Sequence, residues 1–155
     1  MNLNDLQCAL RAADIDAWLF YDHHRRDPIA YRVLGIAPVM CTRRWYYMIP
    51  NEGEPQKLVH RIESHNLDGL PGAEERYSSW REQREGVSRL LKGRKNVAMQ
   101  YSALNNIPYI GLVDAGTIDL VKSCGVGWSL PRTWCSSLRR RGPKSNGSPT
   151  APPAR

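Results

Sequence analysis

Two groups of polar side chains have residue types that could bind a metal ion or transfer a proton. The first is the stretch from Asp22 to Asp27, where His23 and His24 lie between two carboxylates. Imidazole and carboxylate groups are common metal ligands. The stretch follows a short apolar run that is typical of a buried strand, so a solvated loop is the simpler interpretation.

The second group is His60, Glu63 and His65. The two histidines are five residues apart, whereas a helical metal pair prefers a spacing of four, and the H-E-x-x-H pattern is absent. His60 is predicted to end a strand instead. No Ser/His/Asp arrangement and no phosphate-binding glycine motif can be argued from the spacing. We therefore predict neither a catalytic residue nor a metal site in this chain.

The cysteine spacing, the apolar pattern and the N-terminus bear on the compartment of the protein. None of Cys8, Cys41, Cys124 and Cys135 forms a C-x-x-C pair, and their spacing matches no zinc pattern, so free thiols are expected. No apolar run approaches the roughly 20 residues that span a bilayer. The N-terminus lacks the features of a signal peptide. We expect a cytoplasmic protein without a membrane partner.

The net charge of +7 suggests nucleic-acid binding until it is divided along the chain. Residues 1–126 hold 16 basic and 15 acidic residues, a net charge of +1. Residues 127–155 hold 6 basic residues and no acid, a net charge of +6. Because the body is nearly neutral, it has no electrostatic footprint for a polyanion.

The elements that must position these residues alternate between strand and helix. Four helices are predicted from their end signals. Asn2 is a suitable N-cap for the first helix, and Pro28 and Gly35 suit the start and the end of the second. A serine caps the third helix, and Thr117 is the predicted cap of the fourth. The predicted helices cover 3–13, 28–35, 78–93 and 117–125, and the predicted strands cover 16–22, 43–50, 56–60, 95–102 and 109–116. This order predicts an α/β domain over residues 1–126.

Several stretches in the same order resemble the N-terminal domain of the creatinase/prolidase family of Xaa-Pro metallopeptidases. They read "DAWLFYD…DPIAYRVLG", "TRRWYYMIPNEGEPQKLVHRIESHNLDGLPG", "YSSW" and "VAMQYSALNNIPYIGLVDAGTIDLVKSCG". The chain departs from the family near Gln100, where a carboxylate is usual, and near Asp27, where Asn or a similar residue is usual. The resemblance implies a mixed β-sheet flanked by helices.

The resemblance also implies a non-catalytic role. In full-length relatives this domain precedes a larger domain whose two Asp, one His and two Glu hold two divalent metal ions, and the matched region ends before that domain. The N-terminal domain of such relatives supports oligomers and restricts access to short proline-containing peptides. An arginine there reaches a neighbouring subunit's active site and binds the substrate carboxylate. The candidates for substrate binding in trans are therefore Arg43, Arg44 and His60. The alternative is that the two arginines are an ordinary surface pair at the start of a strand.

Residues 127–155 are predicted to be a disordered, basic tail. The stretch "GVGWSLPRTWCSS" stands where relatives read roughly Gly-Val-Glu-Val-Val-Ser-Ser-Ala-Asp. Loss of one base from a Glu codon after Val126 would give Gly127 and Trp128, and residues 127–147 permit an amphipathic, family-like reading in the other frame. We expect an out-of-frame tail and a truncated peptidase, which sequencing of the downstream DNA would test.

Three functional hypotheses follow. The first is the non-catalytic N-terminal domain of an Xaa-Pro aminopeptidase or dipeptidase-like protein that forms a homo-oligomer. The second is a free-standing interaction module that pairs with an intact paralogue. The third is nucleic-acid binding through the basic tail, which predicts steeply salt-dependent binding and ranks last.

Overall fold

The computed structural model describes residues 2–128, with only the backbone at Trp128. The predicted disorder of the tail therefore lies outside the described residues, apart from the backbone pairing of residues 127 and 128 given below. The helices are α1 (Leu3–Ala12), α2 (Pro28–Leu34), α3 (Trp80–Leu91) and α4 (Ala115–Ser123). The strands are β1 (Ala17–Asp22), β2 (Trp45–Pro50), β3 (Gln56–His60), β4 (Ala73–Tyr77), β5 (Asn96–Ala98) and β6 (Gly127–Trp128).

The strands form one mixed sheet in the order β4-β3-β2-β1-β5-β6. β2 pairs antiparallel with both β1 and β3, whereas the β1–β5, β3–β4 and β5–β6 pairs are parallel. All strands except β2 therefore run in one direction. We call the side at which β1, β3, β4 and β5 end, and at which β2 begins, the carboxyl end of the sheet.

Helices cover both faces of the sheet because β1 and β2 are apolar on both sides. Alternate residues of a strand point to opposite faces. Trp18 and Phe20 of β1 pack with α1, α2 and the 3₁₀ segment Arg61–Leu67, while Leu19 and Tyr21 pack with α3 and α4. This confirms the predicted α/β class with a mixed sheet between helices.

Local signals fix the first three helices as predicted. Asn2 and Ser79 accept hydrogen bonds from backbone amides in the first turns of α1 and α3. Asp27 does the same for α2, which has Pro28 at its first position and ends at Gly35 with φ of 68°. The chain entering each of these helices is therefore held by a side chain close in sequence.

Two sequence-based predictions around α4 are wrong. The predicted strand over 109–116 is absent: Pro108–Ile110 forms a 3₁₀ turn, and the amides of Leu112 and Val113 donate to the Gln100 carbonyl. α4 begins two residues before Thr117, because Asp114 accepts a hydrogen bond from the Thr117 amide and is the N-cap. Strand β5 is also shorter than the predicted 95–102.

β4 and the 3₁₀ segment Arg61–Leu67 have no counterpart among the predicted elements. No helix within residues 2–128 has the length and apolar character needed to cross a membrane.

Candidate functional site

The carboxyl end of the sheet gathers the side chains that the sequence singled out. Arg43 and Arg44 precede β2, His60 ends β3, and His23 and His24 follow β1. In sheets of this kind, ligands bind outside the carboxyl ends of the parallel strands. We therefore take the carboxyl end as the candidate site.

A hydrogen-bonded network at this end joins β1 to α4. The Tyr21 hydroxyl donates to Oδ2 of Asp114 at 2.7 Å, and the Thr117 hydroxyl donates to the same oxygen at 2.8 Å. Burial alone would raise the pKa of Asp114, but these hydrogen bonds outweigh it and lower the pKa. The Asp114 carboxylate thus stays charged beside Arg44.

Arg44 is the cation of this network. Burial disfavours its charge, but the hydrogen bond to Tyr21 and the nearby Tyr46 and Asp114 outweigh burial and raise its pKa. The Tyr77 hydroxyl donates to the Arg44 carbonyl at 2.7 Å, which fixes the backbone. Arg44 is therefore half-buried, with a fixed backbone and a charge that the surrounding groups favour.

Arg44 is one of the residues that line a groove between α3 and α4. The groove has a volume of about 410 Å³ and is lined by Arg44, Tyr46, Trp80, Gln83, Arg84, Asp114, Gly116, Thr117, Asp119, Leu120 and Ser123. On the α3 side of the groove, Gln83 donates a hydrogen bond to the Tyr46 hydroxyl at 2.6 Å.

Large exposed apolar side chains also concentrate at the carboxyl end. Within the described residues they are Met40, Ile62, Trp80, Leu104 and Tyr109, which precede β2 or follow β3, β4 and β5. Trp80 is 62% exposed, although its spacing from Val87, Leu90 and Leu91 predicts that it lies on or near the apolar face of α3.

Arg43 differs from Arg44 because its side chain is exposed. The Arg43 guanidinium donates to the carbonyl and hydroxyl of Thr42, at 3.2 and 3.3 Å. Its backbone is fixed by Glu63, whose carboxylate accepts hydrogen bonds from the amides of Thr42 and Arg43. The backbone is therefore anchored while the guanidinium faces solvent.

His60 is 8% exposed and both of its ring nitrogens have partners. Nδ1 accepts from the Ile62 amide at 3.2 Å, and Nε2 lies 3.2 Å from the Ser78 carbonyl, to which it donates in the matching tautomer. The ring also packs edge-on against Tyr77. His60 thus holds the turn that carries Glu63.

The carboxylates beside His23 and His24 point into the protein. Asp22 accepts hydrogen bonds from the Tyr31 hydroxyl at 2.6 Å and the Cys41 thiol at 3.3 Å. Burial, with the nearby Asp22 charge, raises the pKa of Asp27 to about 7. Burial and the neighbouring charges of His24 and Arg44 lower the pKa of His23.

Among residues 2–128, no three His, Cys, Asp or Glu side chains are grouped so that they could hold a metal ion. Cys8, Cys41 and Cys124 are free thiols, and burial raises the pKa of Cys41 and Cys124, which makes them poor nucleophiles. The exposed Arg43 guanidinium and the exposed aromatic side chains are groups at the carboxyl end that can contact a ligand.

The sequence patterns do not mark Tyr21, Asp114 and Trp80 as residues of this site. Asp114 has a usable signal, since an Asp three residues before Thr117 is a stronger N-cap than a threonine. Nothing local marks Tyr21, because its partner lies 93 residues away.

No family model and no curated protein matches the sequence, whereas solved structures match its fold. A proline dipeptidase from Streptococcus pneumoniae TIGR4 has a TM-score of 0.67 at 13% identity, over 91% of this chain and 98% of that one. The creatinase/prolidase N-terminal domain of an X-Pro dipeptidase from Streptococcus pyogenes has a TM-score of 0.58 at 11% identity, over 82% and 96%.

A longer structure places this fold within a larger protein. The prolidase from Pyrococcus horikoshii OT3 has a TM-score of 0.54 at 16% identity, over 81% of this chain but 30% of that one. The chain therefore has the fold of the creatinase/prolidase N-terminal domain, as the resemblance implied, and it spans about a third of the longer prolidase.

Proposed function

We propose that the chain acts as a non-catalytic domain of the Xaa-Pro dipeptidase type, which helps to assemble subunits and limits access to short proline-containing peptides. The shared fold supports this role. The described residues provide no ligand set for the two metal ions that the family's peptidase chemistry uses, so no hydrolytic step is assigned to them.

The observation that carries the proposal is the fixed backbone and exposed guanidinium of Arg43. An arginine on an anchored backbone can reach a carboxylate on a second molecule and bind it through two parallel hydrogen bonds. Arg44 already interacts with Tyr21 in its own domain. We assign carboxylate binding to Arg43 and the positioning of β2 to Arg44.

His60 takes part through the backbone. It caps the 3₁₀ segment that contains Glu63, and Glu63 in turn holds the Thr42 and Arg43 amides. Loss of the His60 ring would release Glu63 and then the backbone of Arg43. His60 therefore acts as a positioning residue for the arginine.

The test is co-expression of this chain, carrying an affinity tag, with an intact Xaa-Pro dipeptidase from the same host. We expect the two proteins to co-purify. The Arg43→Ala complex should show a KM for Ala-Pro about tenfold higher than the original complex with kcat unchanged, because carboxylate binding contributes equally to ground and transition states. Lys92→Ala, at the opposite end of the sheet, is the matched control. Failure to associate would refute the proposal.

Two further results would narrow the role. Co-purification with unchanged kinetics for Arg43→Ala would favour a pairing module, which the exposed apolar residues at the carboxyl end also favour. Metal-dependent hydrolysis of Ala-Pro by the chain alone, in Mn²⁺, Co²⁺ or Zn²⁺, would contradict a non-catalytic domain.

A further inference from the structure

The two walls of the groove between α3 and α4 carry opposite charges that do not pair with each other. Arg84 on α3 and Asp119 on α4 are both exposed and both line the groove. Within residues 2–128 the ion pairs join Arg76 to Glu74, and Arg89 to Glu75 and Glu85, so neither groove residue takes part. Opposite charges that face one groove without pairing can be paired by a second molecule.

The two charges stand at equivalent heights on their helices. Arg84 is the fifth residue of α3, which begins at Trp80, and Asp119 is the fifth residue of α4, which begins at Ala115. Both helices start at the carboxyl end of the sheet, and both first turns line the groove. At 1.5 Å of rise per residue, the two side chains are therefore about level along the groove.

This arrangement is self-complementary. A two-fold axis that runs along the groove, parallel to both helices, places α3 of one copy over α4 of the other at the same height. Arg84 of each copy then meets Asp119 of its partner, so that two equivalent ion pairs form, as an isologous interface requires.

The remaining groove residues suit a protein interface. Trp80 is 62% exposed at the rim, and the guanidinium carbons of Arg81 and Arg84 lie 5.2 and 5.9 Å from its ring centroid. Trp and Arg are enriched among the residues that dominate binding energy. Gly116, in the first turn of α4, has no side chain to obstruct a facing helix.

We propose that the α3–α4 groove is a homodimer interface in which Arg84 of one copy pairs with Asp119 of the other and Trp80 packs across the axis. The inference names the surface for the subunit assembly proposed above and rests on that role. It is tested without any peptidase, so its failure leaves the result of the co-purification experiment unaffected.

The experiment is sedimentation equilibrium of the full 155-residue chain and its variants at up to about 100 µM protein. The original chain should approach twice its mass of 17.6 kDa. Arg84→Glu and Asp119→Arg should each weaken the dimer about 100-fold, because each reversal sets like charges against each other at two symmetric positions. The double variant restores opposite charges and should return to within about tenfold of the original dissociation constant.

One further interface variant and one control variant test whether dimerisation depends on this surface. Trp80→Ala should weaken the dimer about tenfold or more, whereas Lys92→Glu, an exposed reversal at the opposite end of the sheet, should change it less than about twofold. Circular dichroism confirms that each variant is folded. A monomer at all concentrations, single reversals without effect, or a double variant no tighter than the weaker single variant would each overturn the proposal.

Discussion

The Tyr21 hydroxyl donates a 2.7 Å hydrogen bond to the Asp114 carboxylate, across 93 residues of sequence. The bond fixes the start of α4 against the end of β1. Asp114 also caps α4 through the Thr117 amide, so one carboxylate serves both the helix and its attachment to the sheet. The position of α4 and the negative charge beside Arg44 therefore both depend on the Asp114 carboxylate.

Tyr21→Phe should lower the free energy of unfolding by about 1–3 kcal/mol, because the partly buried Asp114 loses a donor. The pKa of Asp114 is lowered in the folded protein, so its contribution to stability is complete above the unfolded pKa and is lost as pH falls through the folded pKa. In the acid range, the free energy of unfolding of Tyr21→Phe should therefore depend less steeply on pH than that of the original chain. Urea unfolding between pH 2 and 7 measures both effects, with Tyr109→Phe, 85% exposed, as control. Equal curves for Tyr21→Phe and the original chain would contradict the assignment.

Asp27→Asn should stabilise the protein at neutral and alkaline pH. Burial raises the Asp27 pKa to about 7, and its Oδ2 has no hydrogen-bond partner in the described structure. Between about pH 4 and 7 the unfolded carboxyl is ionised while the folded one keeps its proton, so stability falls as pH rises and the loss is complete above pH 7.

Asparagine keeps the oxygen that accepts from the Ala30 amide but carries no charge. The stability difference between Asp27→Asn and the original chain should therefore grow from about pH 4 to 7 and then level off. Chemical denaturation across that range measures it. Asp68→Asn, which removes a carboxylate from an exposed position, is the control. A constant difference for Asp27→Asn would refute the raised pKa.

His60→Ala should lower the melting temperature by several degrees, since both ring hydrogen bonds and the contact with Tyr77 are lost. His65→Ala is the matched control because His65 is exposed on the same segment. Differential scanning calorimetry of both variants checks the result. Equal melting temperatures for the two would show that the His60 ring does not hold the turn.

Gly86→Ala should destabilise the protein by about 1–2 kcal/mol, although alanine favours helix over glycine by about 1 kcal/mol. An added Cβ would lie 2.7 Å from Cδ1 and 2.8 Å from Cδ2 of Leu58, a fully buried side chain of β3 that would have to shift. Gly69→Ala meets no atom within 4 Å and is the control. A more stable Gly86→Ala protein in urea unfolding would show that Leu58 can shift.

Elements whose signals are local could be predicted from the sequence. The cap of α1 at Asn2 and the Pro28 and Gly35 ends of α2 act within one helical turn. β1 and β2 are apolar on both sides, and this composition by itself indicates strands with both faces covered.

Elements that depend on distant partners could not be predicted in the same way. β4 reads "AEERY" and is mostly exposed; its strand conformation comes from pairing with β3. The apolar segment before α4 is held by the Gln100 carbonyl and not by a sheet partner. In the candidate site, the resemblance named the two arginines and His60, and their role in substrate binding stays a prediction, whereas the groove required knowing that α3 and α4 lie side by side.

The pairing of β5 with β1 has a consequence for the order of folding. Asp16, just before β1, accepts hydrogen bonds from the amides of Lys95 and Asn96, about 80 residues later. Strands β1, β2 and β3 are adjacent in sequence and can pair early, but β5 must wait until α3 has carried the chain back across the sheet. During synthesis, the growing chain would therefore expose the free side of β1 until residue 98 has left the ribosome.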